Sequence, residues 1–128
     1  MLKNSDKIGK KILIIEDEKP MRKALENKLG NLGFKIGVAP DGEKAMEILD
    51  KETFDLVLLD LILPKKDGFA VLAEMKAKKI ETPVVVLTVL SQEEDMNRAR
   101  ALGAENYFVK IDTPLKDVIE YIKNLLKI

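Results

Sequence analysis

The 128 residues carry 22 lysines and arginines against 22 aspartates and glutamates, so no overall charge draws the chain to nucleic acid or to a membrane. Hydrophobic residues at 46% and charged ones at 34% suit a single soluble domain with a sizeable core. There is no cysteine, which excludes disulfides, thiolate metal sites and thiol nucleophiles. There is no histidine, which removes the commonest general base and metal ligand and any role as a phosphohistidine carrier.

The opening, MLKNSDKIGKK, has lysines but no apolar run before Ile12, unlike a secretory signal. We expect a flexible basic tail over residues 1–10 and one folded domain over 11–128. No apolar stretch approaches the ~20 residues that a membrane span needs, so a cytoplasmic protein is expected. From Ile12 the chain alternates between two periods. Ile12 to Ile15 is a short unbroken apolar run, as expected of a strand covered on both faces of a parallel sheet. Met21, Leu25, Leu29 and Leu32 follow at helical spacing, with Pro20 in the first turn and Gly33 suited to a left-handed stop. Phe34, Ile36 and Val38 alternate like an edge strand with one wetter face. After Asp41-Gly42 comes the stripe Ala45, Met46, Ile48 and Leu49. Leu56 to Leu59 is the second buried run, followed by a turn with Pro64 and Gly68 and by a helix carrying Val71, Leu72 and Met75. Val84 to Leu87 is the third run. Ser91 with Glu94 has the form of a capping box for a helix reaching Leu102-Gly103. The run ENYFVK then leads to Thr113-Pro114, a cap for a last helix carrying Val118, Ile122 and Leu125.

Five strand-helix units with right-handed crossovers give a doubly wound α/β sandwich with a five-stranded parallel sheet. Ligands in such sheets bind beyond the carboxyl ends of the strands. Four polar residues stand where the apolar runs stop: Asp17, Asp60, Thr88 and Lys110. The separations from Asp60 to Thr88 and from Thr88 to Lys110 are close to the ~30 residues of a strand, crossover helix and return. Neighbouring strands lie about 4.8 Å apart, so Asp17 and Asp60 can share a cation if their strands are adjacent, and the long stem of Lys110 can close a two-strand gap. Glu16, Asp17 and Asp60 together would repel one another, which a hard divalent ion relieves. Carboxylates without nitrogen or sulfur donors suit Mg²⁺ or Mn²⁺.

In order and at strand ends, ILIIEDE, LVLLDLILPKKDG, VVVLT and GAENYFVK resemble the receiver domain of bacterial two-component response regulators, from about Lys11 to Leu126. The resemblance implies the flavodoxin-like strand order 2-1-3-4-5. It implies Asp60 as phosphoacceptor, taking a phosphoryl group from a sensor histidine kinase, a histidine phosphotransfer protein or a small acyl phosphate. A carboxylate needs no general base for that attack at neutral pH. Asp17, Asp60 and the backbone carbonyl of Ile62 are implied as metal ligands, with Glu16 acting through water. Lys110 is implied as the cation that neutralises the phosphoryl oxygens. Thr88 and Tyr107 are implied as the switch, moving a surface formed by the last two helices and the last strand. Such a protein is a phosphorylated signalling switch rather than an enzyme, a monomer or weak dimer contacting a downstream protein target, with no nucleic acid or membrane bound directly. It fits equally a single-domain regulator and a receiver unit of a longer protein.

The chain departs from the family pattern at four places. Ile111 follows Lys110 where proline is usual, so a trans peptide is expected there. Val89 replaces a small residue beside Thr88 and should narrow access to Asp60. Ile62 and Leu90, each two residues beyond Asp60 and Thr88, are apolar and cannot orient an attacking water, which predicts slow loss of the phosphoryl group. A flavodoxin-like electron carrier, a metal-dependent phosphatase and a receiver-shaped module that is never phosphorylated are the alternatives on the same layout. The first conflicts with the acids at Glu16, Asp17 and Glu18, and the second with Ile62 where a second acid is needed. Val89 and Ile111 leave the third open.

Overall fold

The computed structural model describes residues 9–127. The tail expected over residues 1–10 lies outside them up to residue 8. Within them the Lys10 carbonyl already accepts from the Lys35 N–H at 2.9 Å, one residue before the first strand.

Strands and helices alternate as β1 Lys11–Ile15, α1 Lys19–Asn31, β2 Lys35–Ala39, α2 Gly42–Lys51, β3 Leu56–Leu59, α3 Gly68–Ala77, β4 Val84–Thr88, α4 Glu93–Ala101, β5 Asn106–Val109 and α5 Leu115–Leu125. The five strands are parallel in the order β2-β1-β3-β4-β5, the doubly wound arrangement expected.

The unbroken apolar runs follow from cover on both faces. Leu13, Ile15, Val57, Leu59, Val84 and Val86 pack under α2, α3 and α4, and the alternate residues Ile12, Ile14, Leu56, Leu58, Val85 and Leu87 pack under α1 and α5. Burying each such side chain stabilises the fold by roughly 1.5–3 kcal/mol, which offsets the cost of the few charges taken inside. The edge strand β2 is only half covered, which explains its alternating pattern.

Register decides what meets at the sheet's carboxyl edge. Ile15 lies opposite Leu59, Leu59 opposite Val86 and Thr88 opposite Val109, so Glu16 and Asp60 emerge side by side, while Thr88 and Lys110 stand one and two residues further along their strands and Lys110 reaches back with its long side chain. The Asp60 N–H donates to the Ile15 carbonyl at 3.0 Å and the Lys110 N–H to the Thr88 carbonyl at 2.8 Å, extending the ladder into the site.

Helix starts are mostly as expected. Pro20 occupies the first turn of α1, and Gly33, at φ 100°, stops it. Asp41 and Asp67 cap α2 and α3, accepting from the Lys44 N–H at 2.8 Å and the Ala70 N–H at 2.9 Å. Two starts differ. The cap of α4 is Gln92 without a side-chain bond, so the Ser91 capping box does not form. The Gln92 carbonyl takes the Asp95 and Met96 N–H groups instead, and Glu93, Glu94 and Asp95 compensate the end of the helix dipole. The cap of α5 is Pro114 rather than Thr113, and its carbonyl accepts from the Asp117 N–H at 2.9 Å and the Val118 N–H at 3.4 Å. Among the described residues no helix is long and apolar enough to cross a membrane.

Candidate functional site

Lys110 is the centre of the site. Its Nζ donates to Asp60 Oδ2 at 2.9 Å and Glu18 Oε1 at 3.1 Å and is ion-paired with Glu16 Oε1 at 2.7 Å. The Lys110 side chain is 7% exposed, that of Glu16 2% and that of Asp60 5%, whereas that of Glu18 is 62% exposed. A lysine by itself is usually solvated. Here the β5 ladder delivers its stem across β4, and two buried acids hold the ammonium.

Each carboxylate is oriented by backbone. Asp60 Oδ1 accepts from the Ile62 N–H at 3.1 Å, leaving Oδ2 for Lys110. Glu16 Oε2 accepts from the Glu18 N–H at 3.1 Å. Asp17 is exposed at the rim, with a carboxylate oxygen within 4.8 Å of those of Glu16 and Asp60. Gly68 supports the turn after β3: its N–H donates to the Leu61 carbonyl at 2.9 Å, and a Cβ there would lie 2.5 Å from the Asp60 carbonyl oxygen. Only glycine lets α3 start this close to the aspartate.

Electrostatics follow from the burial. Desolvation pushes the Glu16 carboxyl up, Lys110 and the Glu18 N–H pull it down, and the neighbouring Asp60 charge adds to the rise; the net direction is up. For Lys110, burial works against the charge, but hydrogen bonds to Glu16 and Asp60 outweigh it and hold the ammonium above the ordinary lysine range. Among the described residues the four carboxylates of Glu16, Asp17, Glu18 and Asp60 outnumber the Lys110 ammonium and the Arg22 guanidinium bound to the Glu16 and Asp17 carbonyls, and keep an excess of negative charge. An all-oxygen donor set with that excess fits a hard divalent ion.

Thr88 and Tyr107 meet at Leu90. Thr88 is fully buried, and its Oγ1 lies 3.5 Å from the Leu90 N–H. The Tyr107 ring is buried, and its hydroxyl donates to the Leu90 carbonyl at 2.8 Å. Burial, and then the charges of Asp95 and Asp60, push the Tyr107 hydroxyl up to about 12. The phenol therefore lies in the field of the same aspartate that Lys110 holds.

The structure brings Glu16, Asp17, Asp60 and Lys110 into one cluster and links Thr88 to Tyr107 beside it. Sequence reasoning missed two participants and one role. Glu18 was legible only as a third acid after the pair and Arg22 only as a base in the first turn of α1, where it opposes the helix dipole; Leu90 was singled out for phosphoryl loss, not as the backbone partner of Thr88 and Tyr107. The Arg22 guanidinium donates to the carbonyls of Glu16 at 2.9 Å and Asp17 at 3.2 Å, fixing the loop that carries both acids. Among the described residues the large hydrophobic side chains left exposed are Ile62, Val89 and Ile111, which follow Asp60, Thr88 and Lys110 around the mouth. No described peptide is cis, so Ile111 follows Lys110 in the expected trans form, and its side chain is 85% exposed.

A sequence model of the response regulator receiver domain matches residues 12–123. The chain belongs to the response regulator receiver domain family. This receiver domain is 39% identical over 117 residues to a probable transcriptional regulator, ycf27, of Porphyridium aerugineum, covering 91% of this chain and 48% of that protein. It thus spans about half the length of the curated relatives it matches. Among solved structures it is similar to the receiver domain of the Francisella response regulator 1452, at TM-score 0.87 and 25% identity, covering 93% of this chain and 98% of that one. It is also similar to the response regulator TrrA of Thermotoga maritima in complex with Mg²⁺ and beryllofluoride, at TM-score 0.80 and 31% identity, covering 91% of this chain and 98% of that one. The receiver domain acts in two-component signalling as a switch rather than as a conventional enzyme, and response regulators of these systems work with histidine kinases.

Proposed function

We propose that residues 11–128 form the receiver unit and that Asp60 is its phosphoacceptor. The observation that carries this is the buried Asp60 carboxylate held at one oxygen by the Ile62 N–H and at the other by Lys110. One Asp60 oxygen attacks the phosphorus of a phosphohistidine on a sensor histidine kinase or histidine phosphotransfer protein. The new O–P bond forms as the N–P bond breaks, and the leaving imidazole takes its proton from solvent. Lys110 meets the charge that grows on the phosphoryl oxygens, the main demand of phosphoryl transfer on a protein. Asp17, Asp60 and the Ile62 carbonyl would hold Mg²⁺ or Mn²⁺, with Glu16 acting through water, and the ion would supply further charge compensation to the phosphoryl group.

The phosphoryl group adds about −1.5 to −2 charge and strong acceptor oxygens. The Thr88 hydroxyl, long in its contact with Leu90, is the nearby donor free to turn toward them. A movement of the segment at Leu90 changes the partner of the Tyr107 hydroxyl, biasing the surface of α4, β5 and α5 by population shift. That surface contacts a protein target, as a monomer or weak dimer in the cytoplasm, with no direct contact to nucleic acid. Ile62, apolar and exposed two residues after Asp60, offers no second acid for a phosphatase cycle.

Intact mass after incubation with Mg²⁺ and phosphoramidate tests the proposal. One phosphoryl group is expected on the wild type, and none on Asp60→Asn or on protein stripped of metal. An unmodified wild type, or equal labelling of Asp60→Asn, would overturn it.

A further inference from the structure

An ammonium has three N–H donors and accepts nothing. In this structure two of those on Lys110 go to Asp60 and Glu18, and Glu16 Oε1 crowds the same ammonium at 2.7 Å as an ion pair. With three carboxylates around it, a phosphoryl oxygen approaches Lys110 most readily by displacing one of them. Glu16 cannot leave cheaply: it is 2% exposed, and release would strand a buried charge. Asp60 carries the incoming group. Glu18 makes the longest of the three contacts, its side chain is 62% exposed, and water readily replaces an exposed ion pair of this kind.

Glu18 is the N-cap residue of α1 but makes no side-chain cap bond, and its carboxylate reaches to β5 instead. We propose that the Glu18 carboxylate is a placeholder on Lys110 for a phosphoryl oxygen and that its charge at the mouth sets the preference of the site among small phosphodonors. The proposal rests on Asp60 being the phosphoacceptor.

Two consequences follow. Glu18 competes with the phosphoryl oxygen for one Lys110 N–H, and until displaced it repels an arriving donor in proportion to the donor's charge. For one unit charge about 5 Å from the donor in water at ~0.1 M salt, removing it speeds a dianion roughly fivefold and a monoanion roughly twofold.

The test compares wild type, Glu18→Gln and Glu18→Asp at saturating Mg²⁺, with acetyl phosphate as the dianionic donor and phosphoramidate as the monoanionic one. The readouts are both phosphorylation rates, affinity for beryllofluoride as an acyl-phosphate mimic, and melting temperature. Glu18→Gln is expected to raise both rates, to raise the acetyl phosphate to phosphoramidate ratio by roughly two- to threefold, and to bind beryllofluoride more tightly. Added salt should shrink the change in ratio. Glu18→Asp, too short for the contact but still charged, is expected to keep the wild-type ratio while gaining beryllofluoride affinity. A role confined to α1 would move melting temperature and leave the ratio unchanged. If the wild type is phosphorylated and Glu18→Gln changes neither ratio nor beryllofluoride affinity, the placeholder is wrong and the phosphoacceptor reading stands. If the wild type accepts phosphoryl from neither donor, both fall.

Discussion

Replacing Lys110 by methionine removes a cation that two buried carboxylates share. Glu16 and Asp60, 2% and 5% exposed at the side chain, then face each other uncompensated. Breaking a buried ion pair from one side costs about 3–5 kcal/mol. A second estimate uses the escape open to the protein, protonation of Glu16. An ordinary glutamate at about 4.3 must be held neutral at pH 7, which costs about 1.36 kcal/mol per unit, or roughly 3.7 kcal/mol. The two figures agree, and both are large against a domain stability of about 5–15 kcal/mol. The pH dependence has a definite sign. In the variant the Glu16 carboxyl rises further, because burial and the Asp60 charge still push it up while the Lys110 bond no longer pulls it down. An acid raised in the folded state contributes stability present below its unfolded value and lost as pH rises through the folded one. The gap between Lys110→Met and wild type should therefore narrow as pH falls from 7 toward 4. Mg²⁺ should narrow it at pH 7, because acids that have lost Lys110 bind the cation more tightly in the folded variant than those of the wild type do. Urea unfolding followed by circular dichroism, with and without metal, measures both. A metal-free loss below about 1 kcal/mol at pH 7, or a gap that does not change with pH, would refute the coupling of Lys110 to Glu16 and Asp60.

Other outcomes follow from the same geometry. Gly68→Ala places a Cβ 2.5 Å from the Asp60 carbonyl oxygen and 2.6 Å from Leu61 Cα, so a loss of about 2 kcal/mol or more and slower phosphorylation are expected. Gly30→Ala in α1, with no atom nearer than 4.0 Å, should instead gain roughly 0.5–1 kcal/mol in the same unfolding assay. Ile62→Gln or Leu90→Asn offers a group to hold an attacking water and should shorten the half-life of the phosphorylated protein severalfold; an unchanged decay by intact mass would remove that explanation. Tyr107 ionises only at about 12, against about 10 unfolded. Its contribution to stability should be lost as pH rises from about 10 to 12, and Tyr107→Phe should remove the step near 12 from the phenolate absorbance titration.

The sequence by itself determined the layers and the strand ends. Apolar runs without polar interruption, such as Leu56–Leu59 and Val84–Leu87, demand cover on both faces, and Asp60, Thr88 and Lys110 mark where that cover stops. Local pattern also predicted the stop at Gly33 and, through Asp-Gly pairs, the starts of α2 and α3, because these are choices of a few neighbouring residues. It failed at Ser91 and Thr113, where the helix begins one residue later and backbone carbonyls replace the expected side-chain caps. Only the tertiary structure decided which acids share the lysine. Glu18 and Lys110 meet at 3.1 Å across the sheet, and no local period encodes that contact. The registers of β1 with β3, β3 with β4 and β4 with β5 create it. Burial of Glu16, the turn of Glu18 away from its own helix, and the meeting of Thr88 and Tyr107 at Leu90 are likewise products of packing. Electrostatic and hydrogen-bond partners depend on distance in space, whereas the periodicities of a sequence record only which side of an element faces the core.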